Sequence, residues 1–235
     1  MLLYVIRHGD PTYSPDALTP LGHRQAEAVG RRLASHGLDR IYSSPLIRAQ
    51  QTAKPASEML KLPVQIEEWT SESLVWQDFT LTFPDGKKRW AFEKQNTDFL
   101  TDETRYLTTD WQNCKAFDGR DFNGPYKRII DASDDFLARQ GYERIGTSYR
   151  AVRPNDDRVA LFCHEGFSMI WFPFLLSIPP HLFWAGFSIT HTGVSIFNFQ
   201  NNPNGITSPK LLAFNDISHI YAEGLPTRHI NTFFY

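Results

Sequence analysis

The chain has 235 residues, 41% of them hydrophobic and 21% charged, a globular composition with enough apolar residues for one sizeable core, which argues against disorder. Its formal net charge of −2 provides no general attraction to nucleic acid or an anionic membrane, so any anion must be held by a few locally placed arginines and histidines. The two cysteines, Cys114 and Cys163, are too few for a disulfide framework and fit a reducing compartment, with the cytoplasm as the default.

Residues 1–7 show neither the basic start nor the small-residue cleavage site of a secretory signal, and the apolar run 2–6 reads as a strand covered on both faces. Thr19 is the expected N-cap of the first helix, with Pro20 at its first position. Leu21, Ala26, Val29 and Leu33 then recur at helical spacing until Gly37. Ile41-Tyr42 predicts a second strand. Ser44-Pro45 opens a second helix whose Ala49, Ala53, Ala56 and Leu60 share one face before Pro63. Strands are expected again at residues 64–66 and 159–163, the latter followed by a buried helix over about 166–176. The longest apolar stretch, residues 167–178, contains Pro173 and is shorter than the roughly 20 residues a membrane span needs. Residues 193–199 and 210–214, separated by Asn201-Asn202-Pro203-Asn204-Gly205, predict a hairpin.

Between the strands at 64–66 and 159–163 the pattern is irregular from about residue 76 to 150. One amphipathic helix is expected there, over 126–139, with Ile129, Phe136 and Leu137 on its apolar side. We read the chain as a single domain, 1–235, with 76–150 as a cap-like insertion. Its Trp76, Phe79, Trp90, Phe92 and Trp111 either wall a substrate site or form the insertion's own core. Alternating strands and helices predict an α/β fold, a three-layer α/β/α sandwich with a mostly parallel central sheet and the insertion over the C-terminal ends of the strands. Ligands of such sheets bind outside those carboxyl ends. Arg7-His8-Gly9, Arg48 and His164-Glu165-Gly166 all follow predicted strands and so share that edge.

These residue types suit phosphoryl chemistry. Neutral imidazole is a nucleophile near physiological pH, and a histidine at a strand end can have one ring nitrogen held by a carbonyl while the other faces phosphorus. A phosphoryl group in transfer spreads negative charge over its equatorial oxygens and needs fixed donors around it. His8 fits the first role, and Arg7, Arg48 and His164 fit the second. Arg48 in a first helical turn would add the positive end of a helix dipole. No histidine spacing suggests a zinc site, so no metal or other cofactor is implied.

Four blocks in order, Arg7-His8-Gly9, Leu18-Thr19-Pro20-Leu21-Gly22-His23-Arg24-Gln25-Ala26, Ser43-Ser44-Pro45-Leu46-Ile47-Arg48-Ala49-Gln50-Gln51-Thr52-Ala53 and Cys163-His164-Glu165-Gly166, resemble the histidine phosphatase superfamily, which is phosphoglycerate-mutase-like. The resemblance covers roughly residues 1–75 and 155–200. It implies a metal-independent phosphomonoesterase acting on a small phosphate ester through a phosphohistidine at His8. It also implies a general acid just after the third strand, where Glu72 stands, with Glu165 as the competitor unless it faces solvent. Asp10 matches the polar residue that often follows the tripeptide. The family's asparagine in that loop is absent between residues 9 and 18, leaving Tyr13 or Ser14 as substitutes. His191, at the expected start of a strand with Thr192, is placed near the pocket. His23, His36, His181, His219 and His229 are expected at the surface or in packing, and Cys163 as a buried apolar residue. Two other readings stay open: a phosphoglycerate-mutase-like phosphotransferase, and a non-catalytic phosphate-binding module. The latter would call for loss of His8 or Arg48. The oligomeric state is not encoded in any of these motifs.

Overall fold

The structure is a computed structural model that describes residues 1–94, 96–101, 110–117 and 119–227. In chain order the elements are β1 (Leu2–Arg7), β2 (Pro11–Tyr13), β3 (Asp16–Leu18), α1 (Pro20–His36), β4 (Arg40–Ser43), α2 (Ile47–Leu60), β5 (Val64–Ile66), α3 (Glu72–Asp78), β6 (Thr80–Thr82), β7 (Lys88–Trp90), α4 (Asn96–Phe99) and α5 (Asn123–Arg139). They continue with β8 (Tyr142–Ile145), β9 (Ser148–Ala151), β10 (Arg158–Cys163), α6 (Glu165–Leu176), α7 (Pro180–Trp184), β11 (Val194–Asn198), β12 (Ile206–Thr207), β13 (Lys210–Asp216) and α8 (Ser218–Ala222). His229 lies outside the described residues.

Among the described residues the main sheet has six strands in the order β13-β11-β1-β10-β4-β5. Strands β1, β10, β4 and β5 run parallel, and β11 is antiparallel to both its neighbours, β1 and β13. The period of two along each strand sorts the side chains into two faces. Tyr4, Ile6, Ile41, Ala160 and Phe162 pack with Val29 and Leu33 of α1 and Ala53 and Ala56 of α2. Leu3, Val5, Tyr42, Val159 and Leu161 pack with Ile129, Phe136 and Leu137 of α5 and Phe167, Ile170 and Trp171 of α6. The result is the expected three-layer α/β/α sandwich with a mostly parallel sheet. No described helix is long and apolar enough to cross a membrane.

Local signals account for α1. The Thr19 side chain accepts the Gly22 N–H at 3.1 Å, Pro20 occupies the first position, and Gly37 ends α1 at φ 76°. A Cβ at Gly30 would sit 2.8 Å from Pro55 Cβ, so only glycine lets α1 lie this close to α2. The second helix differs from expectation: it begins at Ile47, with Leu46 as its capping position. Ser44 does not cap it through N2 or N3, because its hydroxyl is turned to His164. The strands β11 and β13 pair as expected, but β12 intervenes and joins β9 in a separate sheet, so their connection is longer than one turn.

The aromatics of residues 76–150 divide. Phe79, Trp111, Phe117 and Phe122 are buried together in the same apolar cluster as the sheet residues, with Trp111 packed edge-on against Trp184. Trp90 is also largely buried, yet it reaches the carboxyl edge of the sheet, with Trp76 edge-on at 4.8 Å and Phe92 stacked at 5.2 Å.

Candidate active site

Parallel β1, β10 and β4 end on the same edge and deliver the residues that follow them to one point. A small pocket of about 50 Å³ there is lined by Arg7, His8, Tyr13, Arg48, Glu72, Trp90, Glu165 and Gly166. This exceeds the roughly 10–15 Å³ needed to hold a single water, so the pocket suits a small polar group and not a bulky one.

His8 is 2% exposed. Its backbone N–H donates to the Cys163 carbonyl at 2.9 Å, continuing the β1–β10 ladder one residue past the strand. Its Nδ1 lies 2.7 Å from its neighbour's Gly9 carbonyl. A carbonyl can only accept, so Nδ1 carries the proton and Nε2 keeps the free lone pair. Burial, followed by the neighbouring His164, Arg7 and Arg48, holds the imidazole well below its ordinary pKa of 6.5. Gly9 is fixed in turn by its N–H to Thr52 Oγ1 at 3.0 Å, and Thr52 donates to the Arg48 carbonyl at 2.7 Å.

Each arginine is held by a carboxylate. Arg7, the last residue of β1, donates to the Ile189 carbonyl, lies 2.9 Å from Glu165 Oε2, and has Nη2 3.0 Å from His191 Nε2. Arg48, in the first turn of α2, donates to Asp16 Oδ1 at 2.7 Å, and Asp16 Oδ2 accepts the Ile47 N–H at 2.7 Å. The first N–H of α2 is therefore taken by Asp16 and is not open to an anion. Tyr13, in the same hairpin, lies beneath the Arg48 guanidinium, 5.3 Å from it.

Glu165 departs from the expectation that it could face solvent. It is 8% exposed, and its Oε1 accepts from Ser188 Oγ at 2.8 Å and from the Ile189 N–H at 3.0 Å while Oε2 faces Arg7. Both carboxylate oxygens are thus engaged by donors. His191 does not begin a strand, since β11 starts at Val194. It sits in the preceding loop, with its ring 5.6 Å from that of His8 and Nδ1 3.7 Å from Asp10 Oδ1. Cys163 is fully buried, which pushes its thiol up to about 12 and makes it unsuited to nucleophilic work.

Glu72 is the first residue of α3, and its Oε1 accepts the Gly166 N–H at 2.9 Å while Oε2 lies 3.3 Å from His164 Nδ1. A Cβ on residue 166 would meet Glu72 Oε1 at 2.3 Å and the Trp90 ring at 2.6 Å. Only glycine lets the backbone, the carboxyl group and the indole close on one another. Gly166→Ala is expected to displace the Glu72 carboxyl and lower kcat/KM on an alkyl phosphate by about 10²-fold, the scale of a 1 Å misplacement. Steady-state kinetics with unchanged rates would show that Glu72 needs no such support.

His164, between β10 and α6, is fully buried, and its Nε2 lies 2.7 Å from Ser44 Oγ. Burial first, then Arg48 and Arg7, hold it well below 6.5. His219, buried against Thr192, is lowered to about 4 by burial and then by Arg32. Unfolded, all three histidines would titrate near 6.5. The unfolded chain therefore binds more protons below that pH, and stability is lost as pH falls from 6.5 towards the folded-state values. The slope is at most about 1.4 kcal/mol per pH unit for each group. Thermal melts in phosphate-free buffer should show a lower Tm at pH 5.5 than at pH 7.5, and a flat Tm over that range would contradict the buried neutral histidines.

Sequence reasoning missed Asp16, Ser44 and Thr52 as parts of this site. Ser44 and Thr52 stand inside the quoted blocks; Asp16 has no local signal.

Comparison with known proteins shows the family and the fold. The model of the histidine phosphatase superfamily (branch 1) matches residues 3–210, and the chain belongs to that superfamily. Phosphoserine phosphatase 1 of Hydrogenobacter thermophilus is 25% identical over 131 residues, 49% of this chain and 61% of that protein. The chain thus spans about three-fifths of that relative's length. Among solved structures, phosphoserine phosphatase from Entamoeba histolytica, in complex with 3-phosphoglyceric acid, superposes with a TM-score of 0.61 at 20% identity, covering 93% of this chain and 98% of that one. A mycobacterial glucosyl-3-phosphoglycerate phosphatase, with inorganic phosphate, gives 0.60 at 17%, covering 93% and 98%. At these identities both share the fold.

Proposed function

We propose that the protein hydrolyses a small-molecule phosphate monoester through a phosphohistidine at His8. The observation that carries this reading is the tautomer-fixed, neutral His8, whose free Nε2 belongs to the same small pocket as Arg7, Arg48 and Glu72. In the first step the Nε2 lone pair forms a bond to phosphorus, the ester P–O bond breaks, and the Glu72 carboxyl proton passes to the departing alkoxide. Arg7, Arg48 and His164 donate to the equatorial oxygens while charge builds there. In the second step Glu72, now a carboxylate, takes a proton from water, whose oxygen attacks phosphorus. The P–N bond then breaks, releasing orthophosphate and restoring His8.

Hydrolysis, rather than transfer to a second hydroxyl, accords with the relatives named as phosphatases. Glu72 is preferred to Glu165 as the acid because Glu165 is committed to three donors, whereas Glu72 Oε2 has none in hydrogen-bond geometry. Trp90 and Tyr13, at the pocket, are placed to set substrate choice from residues outside the phosphoryl chemistry. The two free, buried cysteines accord with a reducing, cytoplasmic setting.

The test is a rapid-quench experiment with 32P-labelled aryl phosphate. The expected result is protein-bound label that survives alkali and is lost in acid, as a P–N bond requires, with turnover indifferent to chelators. Acid-stable label, or activity that depends on an added divalent cation, would point to another mechanism.

A further inference from the structure

Ser44 and His164 are both fully buried, with Ser44 Oγ 2.7 Å from His164 Nε2. Their proton arrangement can be worked out from what surrounds each atom. The Leu46 N–H approaches Ser44 Oγ at 3.4 Å, so the hydroxyl accepts on that side and has its own hydrogen to place. His164 Nε2 is the acceptor beside it. A proton on Nε2 would point at the hydroxyl and leave the Ser44 hydrogen buried without an acceptor.

The other end of the ring stands beside Glu72. His164 Nδ1 lies 3.3 Å from Glu72 Oε2, outside hydrogen-bond geometry, and neither atom has another partner. An N–H on Nδ1 would meet an incoming phosphoryl oxygen as a donor, whereas a lone pair there would oppose it.

We propose that Ser44 is a positioning residue that fixes His164 as the Nδ1–H tautomer, so that an uncharged imidazole presents a donor, not a lone pair, to a phosphoryl oxygen. The inference rests on the pocket being the phosphoryl site. The choice of tautomer matters because the ring is neutral: an imidazolium would donate from both nitrogens, but burial and the two arginines keep His164 uncharged. Without the Ser44 hydroxyl the ring can place its proton on Nε2, and Nδ1 then opposes the anion it should bind.

The experiment is a long-range 1H–15N correlation spectrum of the phosphate-free protein at pH 7.5, with the His164 signals identified by their loss in His164→Gln. The expected result is a protonated Nδ1 and a bare Nε2. In Ser44→Ala the proton should move wholly or partly to Nε2, with vanadate affinity and kcat/KM falling about 10- to 100-fold, while Ser44→Thr, which keeps the hydroxyl, restores the wild-type pattern. A wild-type His164 protonated on Nε2 would overturn the proposal, as would a Ser44→Ala protein with both the tautomer and vanadate affinity unchanged. If Ser44→Ala does not fold, the wild-type spectrum still decides. That spectrum is independent of turnover, so absence of a phosphoenzyme would defeat the catalytic reading without touching this result.

Discussion

His8→Ala is expected to abolish turnover of every phosphate ester, including aryl phosphates that need no acid, because no other described side chain in the pocket offers a free neutral nitrogen to phosphorus. The fold should survive the change. The residue's backbone is held independently of its ring, by the N–H to the Cys163 carbonyl at 2.9 Å and by the Thr192 N–H to its own carbonyl at 3.2 Å. Deleting an imidazole that opposes protonation inside the protein should also lessen acid sensitivity. Steady-state assays with circular dichroism melts check both halves, and substantial residual turnover in a folded His8→Ala protein would remove His8 as the nucleophile.

Glu72→Gln should produce a loss that depends on the leaving group. An alkyl alkoxide is a poor leaving group and needs the proton, so alkyl phosphates should slow by the roughly 10²–10⁴-fold typical of lost general-acid catalysis, whereas nitrophenolate departs readily without one. Because Glu72 is also proposed to activate water for the second step, single-turnover measurements are needed to isolate phosphorylation of His8. Glutamine keeps an oxygen for the Gly166 N–H, so the local packing is preserved. Glu165→Gln provides the contrast: it weakens the hold on Arg7 and should lower rates on alkyl and aryl esters alike. A leaving-group dependence that appears in Glu165→Gln and not in Glu72→Gln would transfer the acid role.

The parts of this site that could be read from sequence are those whose cause is local. Thr19, Pro20 and Gly37 bound α1 through interactions spanning a few residues. Arg7 ends a strand, and His8, Arg48 and His164 follow strands, whose parallel arrangement is implied by strand–helix alternation. The contacts that complete the pocket are long-range. Asp16 reaches Arg48 across 32 positions because β2 and β3 fold back over α2, and Ser44 meets His164 across 120. Neither has a periodicity to betray it. Ser44 beside Pro45 also has the look of a helix cap, and that local reading placed the start of α2 too early. Trp90 and Trp111 could not be told apart by composition. Packing separates them, since Trp90 rests on Gly166 while Trp111 is surrounded by Phe117, Phe122 and Trp184.

The pairing of Arg7 with Glu165 and of Arg48 with Asp16 means that the empty pocket is close to electrically balanced. Two guanidinium groups this deeply buried would repel each other and strain the fold if they had to wait for an anion to neutralise them. With built-in counterions, the donors stand in place before any ligand arrives, and the binding of phosphate adds charge to a site that already has none to spare. Such a site is expected to hold orthophosphate less tightly than an unpaired arginine pair would, which would favour release of the product over its retention.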